Sequence, residues 1–380
     1  MTGSVGAMGA KVLASDALPV IDISALSRPG TAEFAGTARK IGKACEDNGF
    51  FYVTGHGVPQ ALIDAVYAQS KRFHGLPPEV KDAVHIRHSF GNRGWHPSSL
   101  DDTDPDPELY RLTTPKEGEK DWLDKPRLHA AFDLCWELDP SDPAYMANVM
   151  EGPNQWPELE GFKETVEAYY DALMQVGRRL FDAFAHELQL DPAFFAERTR
   201  KPTSQLRLLY YPKNDYPMDN DHLGISAHSD FECFTILSTG GPGLQVMNAE
   251  DEWVEAPPVP GAFSVNIGDM LEAWTNGRFK ATQHRVINDN SRERYSLPLF
   301  FAVDYDTVVE PLPQFVSEEN PAKYGRIVAG HHLASFTIQG TKHLRKQVKE
   351  GKLKLDFAIQ DENPFKRKAV NEFAGDAAAG

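Results

Sequence analysis

Three residues in the second half of the chain have the types and spacing to hold a metal: His228 and Asp230, separated by Ser229, and His284, 54 residues after Asp230. Two imidazoles and one carboxylate cover one triangular face of an octahedral ion and leave the opposite face open. That donor set suits Fe(II) in a non-haem oxygenase, where substrate, O2 and water need room to bind. Zinc would accept the same ligands but has no redox chemistry. Ten residues beyond His284 stand Arg294, Tyr295 and Ser296. Arginine presents a planar fork of charged donors to a carboxylate. Ser296 shares its strand face, so the pair suits a small dicarboxylate. A histidine and an aspartate two apart recur by chance, and a lone arginine more often ends in a surface salt bridge. The combination with His284 is what carries the metal reading.

Such residues need strands to aim them. Side chains two apart on a strand point the same way, so His228 and Asp230 converge if their segment is extended. Phe231, Cys233, Phe234, Thr235, Ile236 and Leu237 have strand-like composition, and Arg285, Val286 and Ile287 follow His284 in the same manner. From Ser204 to about Asp304, short strands are predicted at 206–211, 234–237, 244–246, 262–266 and 295–303. The clusters at 240–243 and 257–261 are turn punctuation. Many short strands in close succession point to a barrel or jelly roll. Upstream, residues 18–23 and 49–53 read as strands. Residues 31–48 read as a helix stopped by Asn48-Gly49, and 60–73 as a second helix. Pro77-Pro78 breaks the pattern before a helical turn at 79–84. Residues 85–154 carry little periodicity and are expected to wrap over one mouth of the core. The clearest helix spans 161–190, and its stripe of Phe162, Val166, Tyr169, Tyr170, Leu173, Phe181 and Phe184 reads as core packing. Another helix is predicted over 333–348, and residues 1–16 and 374–380 are expected to be disordered.

The bulk numbers narrow the partners. A chain of 380 residues with 41% hydrophobic content can bury a substantial core. The net charge of −16, from 39 basic and 55 acidic residues, argues against nucleic acid and anionic membranes as partners. Three scattered cysteines, Cys45, Cys135 and Cys233, form no CxxC and suit a reducing cytoplasm. Cys233 is read as a small buried residue near the metal. No basic segment followed by an apolar one opens the chain, and no apolar run reaches membrane-spanning length. Oligomeric state leaves no mark on the sequence.

The motifs also occur in a familiar order. LPVIDIS at 18–24, ACEDNGFFYVTGHGVP at 44–59, FHGLPPEVK at 73–81 and NQWP at 154–157 lead to the HSD segment, GLQV, NIGDMLEAWTNGRFKATQHRV and RYS. Over nearly its whole length the chain resembles the isopenicillin N synthase-like branch of the Fe(II)/2-oxoglutarate-dependent oxygenases. The resemblance implies an α+β fold with a mainly β core, a double-stranded β-helix (jelly roll) flanked by helices. It implies one compact unit with an N-terminal helical and mixed region at 17–155 and a long helix at 156–203. A catalytic core at 204–310 and a C-terminal helical extension at 311–370 would follow. His228, Asp230 and His284 would be the catalytic iron ligands. Arg294 and Ser296 would hold the distal carboxylate of 2-oxoglutarate, with Tyr211 adding a hydroxyl. Leu209 departs from the asparagine that many relatives carry there.

The implied activity is oxidation of a small organic substrate by hydroxylation, desaturation or ring closure, using Fe(II), O2 and 2-oxoglutarate and releasing succinate and CO2. One alternative is an Fe(II) oxidase that does not use 2-oxoglutarate, as in isopenicillin N synthase itself or the ethylene-forming oxidase. Another is a ligand-binding member without turnover. The substrate wall is expected to include parts of 90–125 with Phe231 and Phe301. Arg93, His96, Tyr110 and Arg111 are candidate substrate contacts, and His222 lies close enough in sequence to support the triad from behind. The C-terminal helix is expected to close over the mouth as a lid.

Overall fold

Period-two patterning builds the core that carries the site. The computed structural model describes residues 18–98, 127–217, 222–248 and 250–360. Tyr110 and Arg111, with residues 99–126 of the expected wrapping segment, and the ends expected to be disordered lie outside the described residues. In chain order the strands are β1 (Val20–Asp22), β2 (Phe50–Thr54), β3 (Gly94–His96), β4 (Ala130–Cys135), β5 (Gln205–Tyr211) and β6 (Ile225–His228). They continue with β7 (Phe234–Thr239), β8 (Leu244–Met247), β9 (Trp253–Glu255), β10 (Phe263–Ile267), β11 (His284–Val286) and β12 (Arg294–Phe301). The larger sheet runs β1-β2-β10-β7-β12-β5-β4-β3 and the smaller one β6-β11-β8-β9. All neighbours are antiparallel except β1 and β2.

The space between the sheets holds Tyr52, Ala131, Leu209, Tyr211, Leu244, Val246, Val254 and Val286. The alternate residues of the larger sheet, such as Leu206, Leu208, Phe234 and Ile236, join a second cluster under the helices. These are α1 (Ala32–Asp47), α2 (Gln60–His74), the short α3 (Pro78–Lys81) and α4 (Phe162–Glu187), followed by α5 (Asp269–Trp274), α6 (Ala329–Gly340) and α7 (Lys342–Lys349). The predicted stripe on α4 is buried along its length. α1 starts where Thr31 accepts a hydrogen bond from the Phe34 N–H at 3.1 Å, a side-chain cap. It stops at Gly49, whose φ of +65° is the left-handed turn that lets its N–H reach the Ala44 carbonyl at 2.9 Å.

One expectation fails by a single residue. Phe301 lies on the helix side of β12, stacked on Phe234 with ring centroids 4.9 Å apart, and is no part of a substrate wall. A methyl group at Gly177 of α4 would overlap the Phe301 ring, so that glycine permits the close approach of helix to sheet. Phe300, one step back, faces inward, because a one-residue step on a strand crosses the sheet. β3 and β4 were not anticipated. β4 is buried at all six positions, so it shows no alternation to read.

A candidate metal and keto-acid site

His228 ends β6 and pairs directly across from His284 at the start of β11, with imidazole centroids 4.3 Å apart. The β6 strand ends at His228, and Asp230 follows two residues on, in the link toward β7. The link is held by the Asp269 N–H at the start of α5, which donates to the Asp230 carbonyl at 2.8 Å. Asp230 Oδ2 accepts from Thr235 Oγ1 at 2.5 Å and from Asn266 Nδ2 at 2.7 Å. Thr235 and Asn266 are register partners on β7 and β10, so the sheet itself fixes the carboxylate.

That leaves Oδ1 free, 3.5 Å from His228 Nε2 and 3.6 Å from His284 Nε2. His228 Nδ1 lies 2.8 Å from the Ser226 carbonyl and His284 Nδ1 lies 3.1 Å from the Thr282 carbonyl. A carbonyl accepts only, so both Nδ1 atoms carry the proton and both Nε2 atoms present lone pairs. Three acceptors within 4.8 Å of one another, with no donor between them, fit a cation. Among the described residues this is the one such gathering of His, Cys, Asp or Glu. Burial alone would raise the Asp230 pKa, but the two imidazoles and Thr235 hold it well below the usual carboxylate value. Burial disfavours charging of both histidines; Asp230 overrides this at His228, which is raised, and not at His284, which is lowered. Cys233 is fully buried in the cluster under the helices, away from the ligands.

Arg294 and Ser296 follow on the inner face of β12. Arg294 pairs with Tyr211, and Ser296 pairs with Leu209 on one side and Thr239 on the other. Arg294 donates from Nε to the Pro242 carbonyl at 3.0 Å and from Nη2 to Thr239 Oγ1 at 2.8 Å. Nη1 reaches Ser296 Oγ only at 3.5 Å. These acceptors are all neutral, so the guanidinium is positioned but its charge is not compensated. The guanidinium carbon lies 4.8 Å from the Tyr211 ring centre, and the Tyr211 hydroxyl is buried with no hydrogen-bond partner among the described residues. An uncompensated fork beside an orphaned buried hydroxyl is a cradle for a carboxylate. Leu209 contributes apolar surface.

Farther along β5, on the same face as Tyr211, lies a charged network that the sequence reading missed. Arg207 donates from Nε to Asp133 Oδ1 at 2.8 Å and from Nη2 to Oδ2 at 2.7 Å, and its guanidinium carbon sits 5.9 Å from the Phe300 ring centre. His96 Nε2 lies 2.9 Å from Asp133 Oδ2, and Arg127 Nη1 lies 3.4 Å from His96 Nδ1. Burial works against the Asp133 charge, yet Arg207 and His96 hold its pKa well below the ordinary value. Arg207 shares the phase of Leu209 and Tyr211 in LRLLYY, a signal that could have found it. Of the predicted contacts, His96 belongs to this network. Arg93 is buried and donates to the Met150 carbonyl at 2.7 Å. His222 stacks on Tyr216 with centroids 4.8 Å apart. Phe231 is stacked on Phe336 of α6 at 4.6 Å, so the C-terminal helix covers the residue beside Asp230.

Two family models match: the non-haem dioxygenase in morphine synthesis N-terminal region over residues 18–159, and the 2OG-Fe(II) oxygenase superfamily over residues 202–303. A Glycine max protein named homoarginine-6-hydroxylase 2-ODD-C23 is 34% identical over 84% of this chain and 96% of its own. The chain belongs to the 2-oxoglutarate- and Fe(II)-dependent oxygenase superfamily. An Emericella nidulans 2-oxoglutarate-Fe(II) type oxidoreductase, hxnY, is 34% identical over 82% of this chain and 87% of its own. The crystal structure of a full-length Neurospora crassa protein in complex with alpha-KG (2-oxoglutarate) superposes with a TM-score of 0.72 at 25% identity, covering 87% of this chain and 98% of that one. The protein is therefore a jelly-roll oxygenase that uses Fe(II), O2 and 2-oxoglutarate to oxidise a small organic molecule, with succinate and CO2 as co-products. The expected α+β architecture holds, and the superfamily favours 2-oxoglutarate use over the rival oxidase reading. No helix among the described residues is long and apolar enough to cross a membrane.

Proposed function

We propose that His228, Asp230 and His284 hold the iron and that Arg294, Ser296 and Tyr211 hold the distal carboxylate of 2-oxoglutarate. The observation that carries this reading is the convergence of Asp230 Oδ1 with two histidine Nε2 atoms in the same interior as an uncompensated arginine. Bound iron supplies O2 activation coupled to oxidative decarboxylation of the keto acid. The chain's own work is positional. Thr235 and Asn266 fix which Asp230 oxygen faces the metal, and the Ser226 and Thr282 carbonyls fix which imidazole nitrogen does. Arg294 neutralises the co-substrate, and Leu209, Leu244 and Val246 keep water from its stem. Phe300 and the Arg207–Asp133 pair border the side from which substrate reaches the open metal face.

The soybean relative is named for a hydroxylation of an amino acid, and we take a small polar organic molecule as the substrate class here. The net charge of −16 supports a reading without nucleic acid or membrane partners. Three unpaired, buried cysteines support a cytoplasmic setting. Anaerobic addition of Fe(II) and then 2-oxoglutarate tests the site. The wild type should develop a weak visible charge-transfer band that His228→Ala lacks. Iron bound without a band would remove the keto-acid assignment, and no iron binding would remove both.

A further inference from the structure

The chain carries a net charge of −16, so a cation on its surface has carboxylates in plenty to choose from. Arg198 and Arg200 nonetheless have no ion-pair partner among the described residues, whereas Lys201 beside them pairs with Asp142 at 2.5 Å. The two arginines line an open groove of about 440 Å3 together with Glu197, Thr307 and Val308. Arg198 ends the helical turn Ala196–Arg198, and Thr307 and Val308 stand at the start of β13 (Val308–Val309). The groove lies on the helix side of the larger sheet. Phe195 stacks on Phe181 of α4 with ring centroids 4.1 Å apart, and Phe194 meets Trp274 of α5 edge-on at 5.6 Å. It is therefore separate from the space between the sheets. The Thr307 carbonyl accepts from the Ala329 N–H at 2.9 Å, so the groove borders the joint at which α6 begins.

The donors in the groove are held in place. Arg198 donates from Nη1 to the Phe194 carbonyl at 2.7 Å, and its guanidinium carbon sits 4.0 Å from the Phe194 ring centre. Its Nε and Nη2 have no partner among the described residues. Asp304 accepts from the Arg200 N–H at 3.2 Å and the Lys201 N–H at 2.7 Å, which fixes the backbone that carries Arg200. Thr307 is only 8% exposed, and its hydroxyl has no hydrogen-bond partner among the described residues. Two uncompensated guanidinia and an unpartnered hydroxyl in one groove call for an anion with several acceptor oxygens. A carboxylate fills one guanidinium fork. A phosphate monoester brings three terminal oxygens and nearly two charges, enough for all three donor groups. We propose that this groove binds the phosphate group of a small phosphorylated metabolite. Val308 offers apolar surface to the organic part, and Glu197 on the wall opposes the anion. The inference goes beyond the oxygenase reading and does not depend on it.

The test titrates phenyl phosphate, with phenol as the neutral control, into full-length protein by calorimetry at fixed ionic strength. Fe(II) and 2-oxoglutarate are present under anaerobic conditions, so that neither the triad nor the Arg294 cradle is left to take the anion. Wild type should bind phenyl phosphate saturably and phenol about tenfold or more weakly. Inorganic phosphate should displace phenyl phosphate. Arg200→Gln, at an exposed position, should weaken phenyl phosphate about tenfold, and Thr307→Val about fivefold. Glu197→Gln should tighten it about twofold or more. No saturable binding, equal binding of phenol, or binding that Arg200→Gln and Thr307→Val leave unchanged overturns the proposal. Arg198→Gln also gives up the bond to the Phe194 carbonyl; should it fail to fold, Arg200→Gln and Thr307→Val still decide.

Discussion

Arg294 and Arg207 both point into the space between the sheets, and their surroundings give them opposite tasks. Arg294 is oriented by a carbonyl and by hydroxyls, all neutral, so its charge remains available to an incoming anion. Arg207 is clasped through Nε and Nη2 by Asp133, a carboxylate with no exposed surface, so its charge is already cancelled. On the proposed assignment, one is a ligand anchor and the other is scaffold. Residue type does not separate them. The charge of the groups that position them does.

The sharpest way to break this contrast is to remove each arginine alone. Arg207→Ala strands the buried Asp133 carboxylate, and breaking a buried pair costs about 3–5 kcal/mol. Arg207 keeps 26% of its side-chain surface exposed, so a loss near the lower end of that range is expected in denaturant unfolding. Arg294→Ala leaves no charge stranded. It should fold normally and raise the KM for 2-oxoglutarate about 100-fold, since a charged bidentate contact is worth about 3 kcal/mol. A large loss of stability in Arg294→Ala with little change in KM would reverse the two roles.

Smaller effects sharpen the picture. Asn266→Ala frees Asp230 Oδ2 from one of its two donors and should weaken Fe(II) binding about 10–100-fold, read by anaerobic titration. The smallest effect is in pH dependence. Asp133 is held below its ordinary pKa of 3.8, so its contribution is complete above that value and fades as pH falls through the lower folded value. The Tm gap between wild type and Asp133→Asn should therefore be widest near neutrality and close progressively below pH 3.8. A gap that widened in acid would refute the depressed pKa.

Most of the metal and keto-acid end was legible because its residues lie in short, alternating strands. His228, Asp230 and His284 are marked by type and Arg294 and Ser296 by shared phase on one strand, whereas Tyr211 came only from the family resemblance and is set beside Arg294 by strand register. The network around Asp133 was harder to read. Asp133 and His96 stand on β4 and β3, whose buried runs lack alternation, and their partner Arg207 meets Asp133 only across 74 positions of chain. Asn266 and Thr235 look like ordinary strand residues until register sets both beside Asp230. Phe301 was assigned to the wrong side because a strand's composition fixes its phase less firmly than its existence. The Asp269 N–H that holds the Asp230 carbonyl is announced by no local pattern.

One measurement bears most directly on the central claim. 2-Oxoglutarate is titrated anaerobically into Fe(II)-loaded wild type, into Arg294→Ala, and into a double variant with Asp133→Leu and Arg207→Met. The double variant removes the scaffold pair without stranding a charge. The account predicts an apparent Kd for 2-oxoglutarate about 100-fold higher in Arg294→Ala and within about threefold of wild type in the double variant. Equal weakening in both, or weakening in the double variant alone, would contradict it.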